Sequence, residues 1–453
     1  MRYAPWKLAT CVVALSFGNP APFSDNIGTP RRGIPPPSED SFYRVPSNIG
    51  DSSPGRILNH RSPPSAISAF GHTAEKFVEK SFQLLYRTSD MSGNATASVV
   101  TVLIPPHADF GKVVSLQAAE DAASIDCAPS FGFQEASAQY PKINSPTMQV
   151  QELLADAALH RGWPVIIPDA EGPRGVYPSG KTNAYITLDG VRAAISSEAI
   201  TGIQRNATIV LWGYSGGGSD TLQAVQAQPQ YAPELQIAGA ALGGVTGSAG
   251  QSIAKSISIL NKSRLAGLIP VSLLGIAAQS PLIQATLDEH LKPEYRDLFY
   301  LPKQQCLEAN AETFRNQDIL AMFNDSSFLY SLSDHVDEFR VENIAPTVPM
   351  FWYQAAKDML VSASSTTSSI DVYCSSGSNI TYLIEKGDST HTTYGLIGAP
   401  AALKWLNGIL SAQESTPGCT RETAHTNGVD QGLLGIYPAD VQMAILKFAE
   451  GSQ

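Results

Sequence analysis

The chain has 453 residues, 43% of them hydrophobic and 16% charged, with a formal net charge of −11. Such a length buries a large core, either as one big domain or as a domain carrying a sizeable insertion. The acidic balance, with no Lys/Arg cluster beyond Arg31-Arg32, argues against a nucleic-acid partner and against steady binding to an anionic membrane.

The N-terminus reads as a signal peptide over residues 1–18. Arg2 and Lys7 precede the apolar run "LATCVVALSF", and Ser16 and Gly18 follow at a spacing that a signal peptidase accepts. The run is too short to span a bilayer, and no other segment reaches about 18 uninterrupted apolar residues. No transmembrane segment is therefore expected, and the chain reads as secreted and extracellular. Cys11 falls in the signal, leaving Cys127, Cys306, Cys374 and Cys419. An even count on the secretory route suggests two disulfides, drawn from three possible pairings. Sequons at Asn94, Asn206, Asn261, Asn324 and Asn379 agree with that route as glycosylation candidates.

Residues 19–65 are rich in Pro, Ser, Gly and Asn. The prolines argue against regular ladders, so the segment reads as a linker, a propeptide or an extended arm over the body. The runs "FQLLYRTSD" and "ASVVTVLIP", separated by Ser92-Gly93-Asn94, predict a hairpin. A strand in "KVVSLQAA", a helix through "MQVQELLADAALHRG", a strand in "WPVIIPDAEG" and a helix in "LDGVRAAISSEA" follow. Next comes "TIVLWGYSGGGSD", residues 208–220, a buried strand that ends in one serine among four glycines. Gly213-Tyr214-Ser215-Gly216-Gly217 fits the G-x-S-x-G elbow, a tight strand-to-helix turn that lifts one hydroxyl above a sheet.

After the strand "IAGAALGGV" the pattern changes. Residues 246–345 carry mostly helical periodicity, broken at Pro270, Pro281 and Pro293, and strand signals return in "TVPMFWYQAAKD" and "NITYLIEKGD". Strands alternating with helices predict an α/β protein with a mostly parallel central sheet flanked by helices. The expected division is a core of residues 66–245 and 346–453, with a helical cap at 246–345 over the sheet's C-terminal edge. The other reading of that block is a helical layer that only completes the core.

A serine hydroxyl needs a base within hydrogen-bond reach, and on this architecture the partners follow it in the order acid, then histidine. Downstream of Ser215 stand His290, His335, His391 and His425. His290 and His335 fall in the helical block. His391 follows a strand and the polar "KGDST", where a loop at the sheet edge would carry a base. His425 lies in "TRETAHTNGVDQG", with no strand signal before it. Asp358 closes the apolar run of "VPMFWYQAAKD" and is the preferred acid, with Asp388 and Glu385 as rivals near His391. Gly216 N–H supplies one oxyanion donor, and the early loop "SLQAAEDAASIDCAPS" should supply the second, with Asp121 as its candidate. A carboxylate there would repel an oxyanion unless it is protonated or only its backbone N–H is used.

With these residues in place, the chain resembles the fungal secretory lipases. The resemblance spans roughly residues 40–450 and rests on "EDAASIDCAPS", "IIPDAEGP", "WGYSGGG", "LAGLIPVSLLG" and "KGDSTHTTYGLIGAPAALKWL" in that order. It implies an α/β-hydrolase core with a helical lid and cleavage of carboxylic esters by Ser215, Asp358 and His391, with Asp121 and Gly216 at the oxyanion. It further implies the pairings Cys127–Cys306 and Cys374–Cys419. No cofactor or metal is expected: H-E-x-x-H is missing, and "GGVTGSAG" lacks dinucleotide-site spacing. The expected substrate is a small-molecule ester or a lipid, foremost a triacylglycerol, with transient contact at a lipid interface. The alternatives are an esterase for short-acyl esters and a non-catalytic binding protein of the same fold.

Overall fold

A ten-stranded sheet runs through the molecule in the order β1-β4-β5-β7-β6-β8-β9-β10-β11-β12. Its strands are β1 (Ile57–Arg61), β4 (Lys80–Ser89), β5 (Ala95–Ile104), β6 (Lys112–Gln117), β7 (Val165–Pro168), β8 (Thr208–Tyr214), β9 (Ile237–Gly243), β10 (Met350–Ala355), β11 (Ile380–Glu385) and β12 (Thr420–Ala424). Two short strands, β2 (Ser68–Ala69) and β3 (His72–Thr73), form a separate ladder. The computed structural model describes residues 33–69, 72–73, 77–178, 180–247, 253–329, 339–341, 344–412 and 417–425, with scattered positions beyond 433. The expected signal peptide, the first part of the arm and His335 lie outside the described residues.

The first three strands and their junction to β7 are antiparallel, and every pairing from β7 through β6 to β12 is parallel. Parallel strands covered on both faces must be apolar throughout. β8 illustrates this: Val210 and Trp212 pack on one face with the helices Pro146–Leu159 and Ala399–Leu410, while Ile209 and Leu211 pack on the other with Lys181–Ser196 and Gly216–Tyr231. The alternation is the period-2 geometry of a strand, with a separate apolar layer on each side.

Two expectations need correction. The proline-rich segment does contribute a ladder, because Ile57–Arg61 pairs antiparallel with β4. The eight residues between Pro54 and Pro63 hold no proline and leave room for this five-residue edge strand, where proline on either side is tolerated. The sheet therefore begins before residue 66. Likewise a strand, β12, immediately precedes His425. Its sequence "TRETA" gives no apolar signal because it is an edge strand with three of five residues exposed, and its charges guard that edge.

Between β9 and β10 the described residues form helices at Ile253–Leu260, Leu268–Ala277, Pro281–His290 and Leu307–Phe314, with shorter turns and no strand of the main sheet. Much of this block has an apolar cluster of its own, around Ile269, Leu273, Leu287, Phe299, Phe314 and Phe323. Cys127–Cys306 ties it to the loop after β6, and Cys374–Cys419 ties the helix Ala363–Ser375 to the residue just before β12. The two bridges close loops of very different length, with sequence separations of 179 and 45. In the chain-entropy view the longer loop stabilises by about 1 kcal/mol more. Denaturant unfolding should therefore show a larger stability loss for C127S/C306S than for C374S/C419S.

Candidate active site

Ser215 sits between β8 and the helix Gly216–Tyr231 at φ 57° and ψ −123°, a conformation that non-glycine residues rarely adopt. Its N–H donates to Gly243 O at 2.9 Å, which fixes the turn against β9. The glycines around it answer to close approach. A Cβ at Gly217 would stand 1.9 Å from Gln117 O, and one at Gly216 would stand 2.3 Å from Asp121 Oδ1. The turn thus places Ser215 at the N-terminus of a helix, where unpaired N–H groups favour negative charge.

His391 Nε2 lies 2.7 Å from Ser215 Oγ, and His391 Nδ1 lies 2.7 Å from Asp358 Oδ2. The histidine begins the helix His391–Ile397 rather than sitting in a loop as expected. Thr390 caps that helix, accepting from Thr393 N–H while its own N–H donates to Thr393 Oγ1. The cap sets the first turn and with it the direction of the imidazole. Asp358 follows β10, and its carboxylate accepts from four donors. Leu360 N–H and Val361 N–H reach Oδ1 at 2.9 and 2.8 Å, and Gln354 Nε2 joins the histidine on Oδ2 at 2.9 Å. The imidazole is nearly buried, and Tyr214 packs its ring 5.4 Å away, donating its hydroxyl to His391 O.

Tyr214 and Gln354 were not singled out from the sequence. A signal existed for each: Tyr214 is inside the elbow pentapeptide, and Gln354 is the one polar residue of the apolar strand "MFWYQA". The rivals lie elsewhere. His290 ends its helix and stacks on Phe328, and His425 is exposed beyond β12. Asp388 is exposed and paired with Lys357, while Glu385 accepts from Gly387 N–H. Of the sequon residues, Asn94, Asn206 and Asn324 are exposed. Asn261 spends both side-chain atoms internally, on Asp318 and on Ile319 N–H, and Asn379 is half-buried.

Asp121 lies in the loop after β6 at φ 46°. Its Oδ1 is buried, with no hydrogen-bond partner among the described residues, beside the Cα of Gly216. Burial pushes its carboxyl up to about 6, opposed by the charge of protonated His391 and aided by Glu308. The neutral acid that resolves the repulsion problem is thereby favoured in mildly acidic water. The loop rests on further buried carboxyls: Ala122 N–H donates to Glu171 Oε2, Glu171 N–H to Glu120 Oε1, and Ser130 holds both oxygens of Asp169. Burial raises all three, Asp169 to about 7.

Above the serine opens a cavity of about 450 Å³, within the size range of small-molecule sites. Its walls include Val150 and Leu154 from the helix after the Asp121 loop, and Leu268, Ile269, Leu273 and Ile276 from the helical block. The segment "LAGLIPVSLLG" thus faces the serine as well as its own core. Among the described residues no group of three or more His, Cys, Asp or Glu is arranged to hold a metal, and no helix is long and apolar enough to cross a membrane.

The model for the family described as secretory lipase matches residues 138–418. The chain is 36% identical to "Lipase A" of Arthroderma benhamiae over 408 residues, covering 88% of this chain and 85% of that protein. It is 32% identical to "Lipase 10" of Candida albicans over 436 residues, covering 93% and 92%. The solved structure of Candida antarctica lipase A in its closed state superposes with a TM-score of 0.76 at 24% identity, covering 91% of this chain and 95% of that one. The rice cell wall degrading esterase LipA from Xanthomonas oryzae superposes at 0.59 with 13% identity, covering 80% and 100%. Sheet order, elbow and flanking helices define an α/β-hydrolase, and the relatives make it a carboxylic ester hydrolase. The chain belongs to the secretory lipase family.

The buried acids have a consequence for stability. A carboxyl whose folded-state value is raised binds its proton more tightly folded than unfolded, so its contribution is favourable at low pH and is lost as pH rises through the folded value. Asp121 at about 6, with Glu152 and Asp169 at about 7, place that loss between pH 4 and 8. Carboxyls shifted the other way, such as Asp109 and Asp318, sit at the surface and are screened. Thermal unfolding is therefore expected several degrees higher at pH 4.5 than at pH 8.

Proposed function

We propose that Ser215, His391 and Asp358 are the nucleophile, base and orienting acid of a secreted lipase that acts through an acyl-enzyme. The observation that carries this is the continuous hydrogen-bonded chain from Ser215 Oγ to Asp358, opening on an apolar cavity. His391 Nε2 takes the proton of Ser215 as Oγ attacks the ester carbonyl carbon. Asp358 accepts from the Nδ1–H, fixing the tautomer and stabilising the imidazolium. Gly216 N–H and the Asp121 carboxylic acid donate to the tetrahedral oxyanion. His391 then protonates the departing alcohol. Water, deprotonated by the same imidazole, attacks the acyl-enzyme and releases the carboxylic acid.

The substrate read from the cavity is a long-chain ester, foremost a triacylglycerol, whose acyl chain lies along Leu268, Leu273 and Ile276. In this proposal residues 246–345 form the cap that supplies that wall, and residues 1–18 are removed on secretion. Glycans fit best at the exposed Asn94, Asn206 and Asn324.

A fluorophosphonate should label Ser215 in the wild-type protein, read by peptide mass spectrometry, and S215A should remain unlabelled. Asp358→Asn should lower kcat by about 10⁴-fold, as a wrong tautomer does. Failure of the wild type to label would end the catalytic reading. An activity panel of rising acyl length beside emulsified triacylglycerol separates the substrate classes: acetyl preference with no action on the emulsion would leave a short-acyl esterase.

Asp121→Asn tests which group of residue 121 donates. An amide donates at every pH, whereas the wild-type acid ionises through about 6. The ratio of wild-type to D121N rate should fall about tenfold per pH unit above that value. A ratio that is flat with pH would leave only the backbone N–H in the role.

A further inference from the structure

Seven large hydrophobic side chains are exposed among the described residues, and three of them gather at the cavity: Ile259 at 43%, Met359 at 85% and Leu360 at 38%. Ile259 and Leu360 line the cavity itself, and Met359 stands beside Leu360 on the outer side of the loop. A single exposed apolar residue calls for no explanation, but a group at the mouth of one site does.

Met359 stands on a loop that its own bonds hold in place. Leu360 N–H and Val361 N–H both donate to Asp358 Oδ1, and Val361 O accepts from Gln354 Nε2 at 3.2 Å. These bonds fix the backbone immediately after Met359, and they also orient the acid of the proposed triad. The same loop therefore holds Asp358 from one side and presents an apolar tip to water on the other.

We infer that the loop from Lys357 to Ser362, with the exposed Ile259 of the same cavity, is the surface by which the protein docks on a neutral ester–water interface. The inference rests on the lipid reading above and adds to it the residues that make the contact. Two observations select a neutral surface as the occupant. Lys357, the cation next to the tip along the chain, is paired with Asp388 and so already compensated. The chain's net charge of −11 disfavours anionic headgroups. A docked tip would put the cavity mouth directly against the ester phase, so that a chain passes from one apolar medium into another without crossing water.

The test uses full-length protein, triolein emulsion droplets and a dissolved short-chain p-nitrophenyl ester. Met359→Glu should keep its rate on the dissolved ester within about twofold, which also shows that it folds, and lose about tenfold or more on the emulsion. In the inactive S215A background, flotation with triolein droplets should fall when Met359→Glu is added. Equal loss on both substrates, or no loss on either, overturns the docking role. So does a dimer of the wild type that Met359→Glu dissolves, which would assign the patch to a second copy of the chain. If S215A floats and the Met359→Glu addition abolishes it while the wild type hydrolyses no triolein, the surface stands and the lipid-substrate reading fails. If triolein is hydrolysed but both S215A proteins float equally, the reverse holds.

Discussion

Two hydrogen bonds of 2.7 Å run from Ser215 Oγ through the imidazole of His391 to Asp358, and the surrounding structure serves to keep them aligned. The three residues come from widely separated parts of the chain and meet only because three strand ends point the same way. Each is then held by its own local device. The strained turn at Ser215 is clamped by Gly243, the helix cap at Thr390 aims His391, and four donors fix Asp358. A free serine hydroxyl is a weak nucleophile, so for the proposed role of Ser215 the value of this arrangement lies in preorganisation: no side chain would have to be recruited when an ester arrives.

Much of this was readable in the sequence, for identifiable reasons. Strands covered on both faces are mostly apolar, so the antiparallel β5 and the parallel β6, β8, β9 and β10 announce themselves, and the glycines of the elbow mark a turn with no room for a Cβ. Chain order then points to Asp358 and His391, which the fold brings to Ser215. The edge strands β1 and β12 were not readable, since an edge exposes its residues and tolerates prolines or charges nearby. The cap of His391 was missed because Thr390 and Thr393 look like ordinary loop residues until their reciprocal bonds are seen. Gln354 and Tyr214 act through other residues, and one sequence gives no spacing rule for such support.

The acids under the site form a second theme. Glu120, Asp121, Asp169 and Glu171 are all buried within one short region behind the serine. Burial of so many carboxyls favours their protonated forms, which removes repulsion among the acids themselves and, in the proposed chemistry, at the oxyanion. The same choice favours mildly acidic surroundings, because raising the pH charges groups that burial has stripped of water. Function and stability are thus coupled through desolvation. The loop that carries Asp121, the proposed oxyanion donor, is held up by Glu120 and Glu171, whose own protons depend on pH.

The apolar wall of the helical block and the exposed tip at Met359 extend the site outward, from the proposed oxyanion donors at its floor to an apolar mouth. All of it presumes an oxyanion that forms between Gly216 and Asp121. A crystal structure of the protein with a phosphonate bonded to Ser215 measures this directly. The phosphoryl oxygen should lie within hydrogen-bond distance of Gly216 N and of the Asp121 carboxyl, with His391 still bonded to Asp358. A phosphoryl oxygen turned away from both donors, or an imidazole parted from Asp358, would contradict the proposed chemistry at its centre.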